Sequence, residues 1–137
     1  MSEGIAIETV VNRARSDVWT FFNLPEHITQ WNFASDDWCC PRAENDLRVG
    51  GRLCSRMEAR DGSFGFDFEG IYNQVAHESK LVYTMPDGRK VETSFEDLEE
   101  KTKVRTVFDP ETENPIEMQR IGWQAILDNF KKYAEST

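Results

Sequence analysis

The chain is poor in the residues that most often carry chemistry. Its 137 residues include two histidines, His27 and His77, and three cysteines, Cys39, Cys40 and Cys54. The histidines lie fifty positions apart and outside any metal-type spacing. Each therefore reads as a surface or helix-end residue rather than a general base. Tetrahedral zinc needs four ligands, but here two cysteines are adjacent and the third stands alone, so no metal site is expected. The odd cysteine count also argues against a disulfide framework and for a reducing compartment. No Gly-x-Ser-x-Gly elbow is present to support a serine hydrolase. Gly62-Ser63-Phe64-Gly65 is too short for a phosphate loop and reads as a hairpin turn.

Positive charge is scarce as well. Lys and Arg number 16 against 25 Asp and Glu, a net charge of −9. This balance excludes nucleic acid and anionic membranes as natural partners, because both require a basic face. No uncharged apolar run approaches the length of a membrane span. The start, Met1 to Glu8, lacks the basic head and apolar stretch of a signal peptide. A cytoplasmic protein without a cofactor is the expectation.

What is present is aromatic and patterned. Sixteen aromatic residues, nine of them Phe, supply large burial area in a chain of one-domain length. Ile5, Ile7, Thr9 and Val11 alternate as in a strand, and Val18, Trp19, Phe21 and Phe22 follow at helical spacing, with Ser16 near the helix start. Pro25 opens a second short helix running to Trp31. Residues 32 to 47 read as irregular. Strand patterns then centre on Leu53 to Ala59, Phe64 to Tyr72, Leu81 to Met85, Val91 to Phe95 and Thr102 to Phe108. Asp61-Gly62, Pro86-Asp87-Gly88 and Glu99-Glu100-Lys101 supply turns between them.

Asn114 reads as the cap of a last helix, with Pro115 as its first residue and Glu117 completing a capping box. Ile116, Trp123, Ile126, Leu127, Phe130, Tyr133 and Ala134 share one arc of that helix, which is expected to end near Tyr133. A sheet with one apolar face needs a cover and this helix needs a floor. The expected fold class is α+β: a curved antiparallel sheet wrapped around a long C-terminal helix, with two short helices between the first and second strands.

This order of elements resembles the START-like, helix-grip (SRPBCC) superfamily, and more narrowly its branch named after the activator of the heat-shock protein 90 ATPase. The matching pieces are Asp17-Val18-Trp19, Pro25-Glu26-His27 leading to Trp31, Gly50-Gly51-Arg52-Leu53, Phe68-Glu69-Gly70-Ile71-Tyr72, Leu81-Val82-Tyr83-Thr84 and Gly122-Trp123. The resemblance spans nearly all of residues 1–137. It implies one helix-grip domain with a hydrophobic cavity, and no single activity.

Polar residues on apolar arcs mark the candidate site. Gln119 falls within the apolar arc of the last helix, and Thr93 and Thr106 lie on inward strand faces. Such groups either satisfy one another and the backbone or line a cavity. The expected lining is Trp31, Phe68, Tyr72, Thr93, Phe95, Thr106, Gln119, Trp123 and Ile126, with Thr93, Thr106 and Gln119 orienting a polar edge of the ligand. The expected partner is a small hydrophobic or aromatic molecule, bound by a monomer or homodimer. The alternatives are a co-chaperone-like regulator of a chaperone ATPase, as the branch name suggests, and a cyclase- or hydrolase-like enzyme using the same cavity. Asp67 and Glu69 share a strand face that reads as solvated rather than as an acid/base pair.

Overall fold

Alternating strands separated by tight turns pair with their neighbours, and the computed structural model, which describes residues 4–137, shows that outcome. The reading of the chain's start falls partly on Met1, Ser2 and Glu3, which lie outside the described residues. Strand β1 (Ile5–Val11) leads into helices α1 (Arg15–Asn23) and α2 (Pro25–Trp31). Strands β2 (Trp38–Asn45), β3 (Arg52–Ala59), β4 (Gly65–Ala76), β5 (Lys80–Thr84), β6 (Lys90–Asp97) and β7 (Thr102–Phe108) follow, and helix α3 (Ile116–Ser136) ends the chain. All pairings are antiparallel, in the order β1-β7-β6-β5-β4-β3-β2. The sheet curls into a half-barrel around α3, the helix-grip arrangement. The two short helices carry the chain from one sheet edge to the other.

Three local expectations are corrected. The segment read as irregular contains β2, an edge strand whose signal is obscured by Pro41 and by a bulge between Cys39 and Arg42. Proline is tolerated there because an edge strand has one unpaired side. At the start of α3, Asn114 does not cap the helix. Pro115 occupies that position and no side chain caps it. Asn114 is held instead by Glu111, whose carboxylate accepts from the Asn114 backbone N–H and side-chain amide. Ile116, placed on the apolar arc, is 46% exposed at the start of α3.

The core is aromatic. Phe22 meets Trp31, Phe95 and Phe130 at centroid distances of 5.2, 5.3 and 5.3 Å, and Phe130 is fully buried. Polar residues of α3 close the free edge of β1. Gln124 Nε2 donates to Glu8 O at 3.2 Å, Lys131 Nζ donates to Val10 O at 2.7 Å, and the Asn12 N–H donates to Glu135 Oε2 at 2.8 Å. An edge covered in this way offers little to a second strand. On the outer face of the sheet, Glu69 pairs with Arg52 at 2.6 Å and Asp67 with Arg56 at 3.5 Å.

A candidate ligand cavity between sheet and terminal helix

Helix α3 is anchored at one side of the concave face. Trp123 stacks on Phe108 of β7, with centroids 3.9 Å apart and planes 10° from parallel. Toward β3, β4 and β5 the sheet curls away, and Phe68 reaches back to Trp123 edge-on at 5.8 Å. Between them lies a cavity of about 240 Å³. The strands contribute side chains at period two, so each presents every second residue to it. Helices α1 and α2 close one end through Phe22, Asn23, Ile28 and Trp31.

Trp31, Phe68, Tyr72, Thr93, Thr106, Trp123 and Ile126 stand on the cavity wall. Two expected lining residues do not. Phe95 is 3% exposed and packs beneath α1 against the edges of Trp19 and Phe22, at 5.2 and 5.3 Å. Gln119 is turned to the linker before α3: the Glu111 N–H donates to its Oε1, and its Nε2 donates to Glu111 O and Asn114 O. Its polar atoms are committed to the backbone, so it has no polar edge left for a ligand. Thr93 and Thr106 are cross-strand partners whose hydroxyls lie 2.9 Å apart, so one donates to the other while both line the wall.

The sequence reading missed the polar end of the cavity. The Tyr72 hydroxyl donates to Asn45 Oδ1 at 2.6 Å, Asn45 Nδ2 donates to Asn23 O at 2.8 Å, and Asn23 Nδ2 donates to Trp19 O at 2.9 Å. This chain ties β4 to β2 and to the end of α1. No local pattern joins residues so far apart in sequence. Tyr83 was legible in principle, because it shares a strand face with Leu81, and both line the cavity. Its hydroxyl makes no hydrogen bond among the described residues. Burial pushes both tyrosine hydroxyls above their usual titration range. Burial likewise raises the Cys40 thiol to about 11, against an opposing hydrogen bond from the Ser55 side chain.

The lining includes neither Lys, Arg nor His, and its one carboxylate is Glu44, which is exposed and 3.7 Å from Arg52. His27 Nδ1 lies 2.6 Å from the Tyr133 hydroxyl, outside the lining, and His77 is surface-exposed beside Glu78. Among the described residues, no cluster of three or more His, Cys, Asp or Glu could hold a metal ion. The wall can enclose and orient a molecule, and it presents no paired nucleophile and base.

The profile of the family described as Activator of Hsp90 ATPase homolog 1-like protein matches residues 12–135. Among solved structures, the AHSA1-like protein from Aeromonas hydrophila is 41% identical, with a TM-score of 0.87 over 96% of this chain and 93% of that one. A protein from Cytophaga hutchinsonii is 45% identical, with a TM-score of 0.84 over 97% and 92% of the two chains. A protein from Nitrosomonas europaea keeps the fold at 18% identity, with a TM-score of 0.84 over 98% and 95%. No match is found among curated proteins.

Proposed function

The chain belongs to the Activator of Hsp90 ATPase homolog 1-like family, and on that footing we propose that it binds a small hydrophobic or aromatic molecule between the sheet and α3. The observation that carries this reading is the void itself. Protein interiors pack as densely as organic crystals, so a space of about 240 Å³ under a helix is an unfilled part of the structure. An apolar cavity of ~150 Å³ holds a benzene ring, which sets the scale here at about two fused rings. Trp31, Phe68, Tyr72, Trp123 and Ile126 supply apolar contact, and the Thr93–Thr106 pair adds a polar spot. The acidic balance speaks against nucleic-acid or anionic-membrane partners. Three free thiols support a reducing, cytoplasmic setting. The covered β1 edge supports a monomer, or a homodimer formed through another surface.

The test is a thermal-shift titration with naphthalene-sized compounds, alongside native mass spectrometry of the purified protein. A ligand at a hundred times its dissociation constant stabilises the fold by ~2.7 kcal/mol. The shift should vanish in Ile126→Trp, whose added ring occupies the void. Absence of any shift and of any co-purifying mass would sink the proposal, as would shifts that persist unchanged in Ile126→Trp.

A further inference from the structure

Two tyrosines face each other across β4 and β5 at the floor of the cavity, and they differ in one respect. Tyr72 and Tyr83 are cross-strand partners with rings 6.1 Å apart and nearly perpendicular. The Tyr72 hydroxyl is bonded to Asn45. The Tyr83 hydroxyl has no partner among the described residues. Its ring is held in place by specific features. It meets Phe68 edge-on at 6.2 Å and lies over Gly70, where an added Cβ would fall 2.6 Å from Tyr83 Cδ2. The lack of a side chain at Gly70 is what admits the tyrosine ring to the wall. Two pieces of sequence that are 13 positions apart, at Gly70 and Tyr83, therefore meet to build one feature.

Charge is the second observation. The cavity has no cationic side chain on its wall. The guanidinium of Arg52, 3.7 Å from the lining residue Glu44, is engaged by Glu69 at 2.6 Å. The amide nitrogens of Asn23 and Asn45 already donate to backbone carbonyls. A carboxylate inside would lose its hydration and meet no countercharge, which is strongly unfavourable. A neutral oxygen acceptor inside would meet a hydroxyl donor that no protein group uses.

We infer that the cavity selects an uncharged ligand that presents a hydrogen-bond acceptor, such as a carbonyl, to the Tyr83 hydroxyl, and rejects carboxylates of similar shape. This rests on the cavity being a ligand site. Tyr83 then acts as the specificity-determining residue, and the apolar wall supplies the bulk of the contact.

Three probes of similar size separate the possibilities: 2-acetylnaphthalene, 2-naphthoate and 2-isopropylnaphthalene, each titrated at neutral pH against wild type and Tyr83→Phe. In wild type, 2-acetylnaphthalene should bind at least about tenfold more tightly than 2-naphthoate. In Tyr83→Phe its affinity should fall about five- to tenfold, while that of 2-isopropylnaphthalene stays within twofold, as expected for one hydrogen bond. The infrared carbonyl stretch of 2-acetylnaphthalene bound to wild type should be red-shifted from its value in hexane, a readout that does not depend on the variant folding. Equal binding of 2-naphthoate overturns the charge selection. An unshifted carbonyl, or equal losses for both neutral probes in Tyr83→Phe, overturns the role of Tyr83. Failure of all three probes to bind wild type overturns the ligand-site reading itself.

Discussion

Gln119 shows how a residue's place on a helix can be read while its partner cannot. Its position on the apolar arc of α3 correctly implies burial. What it meets there depends on the path of the chain before the helix. The linker folds back so that the Glu111 N–H and the carbonyls of Glu111 and Asn114 converge on the Gln119 amide at 2.8–3.1 Å. Gln119→Leu preserves size and removes all three hydrogen bonds, leaving the part-buried backbone groups of Glu111 and Asn114 without that partner. The expected cost is ~2–3 kcal/mol in a urea titration, with the affinity for 2-acetylnaphthalene unchanged. A stability loss near zero, or a loss of ligand affinity in a stable variant, would contradict the bracing role. The threonines illustrate the opposite case. Their alternation gave the face, and the β6–β7 register then paired Thr93 with Thr106 directly.

Elements with clean periodicity were legible, and those defined by pairing were not. β1, β3 and β7 carry unbroken alternation, and α3 carries its apolar arc through Phe130 and Ala134. β2 has Pro41 and a bulge in place of alternation, and it is a strand because β3 binds it. The β6–β7 connection shows a further conflict between local preference and pairing. The Leu98 N–H donates to Lys101 O, so Glu99 and Glu100 form a two-residue loop, and both have positive φ, 61° and 67°. The hairpin twist demands that conformation, and glutamate resists it. Glu99→Asn combined with Glu100→Gly should stabilise the protein by ~1 kcal/mol, because these residues adopt positive φ readily. Calorimetry should record a rise in Tm of ~4 °C. An unchanged or lowered Tm would show that the flanking strands do not hold the loop in an unfavourable geometry.

The whole molecule carries a titration signature of its interior. Burial raises the Cys40 thiol from 9.0 to about 11, and lifts the hydroxyls of Tyr72 and Tyr83 above their ordinary 10.0. In each case the fold favours the neutral form. The unfolded chain therefore loses these protons at lower pH than the folded one. Their contribution to stability is complete below pH 9.0 and is lost as the pH rises toward 11 and beyond. The urea midpoint should fall progressively over that range, and Cys40→Ala should flatten its lower part. A midpoint that holds constant to pH 11 would mean these groups stay accessible to solvent in the fold. By itself the sequence determined the types of the periodic elements, the faces they bury and the helix-grip order, because periods of 2 and 3.6 are local properties of the chain. The tertiary structure alone decided where the interior stays open. It separated Phe95, packed under α1, from Phe68 on the cavity wall, and turned Gln119 away to the linker. It also left Tyr83 without a partner while joining Tyr72 to Asn45. These outcomes depend on how far a curling sheet departs from a helix more than thirty residues further along the chain, a distance that no local pattern encodes.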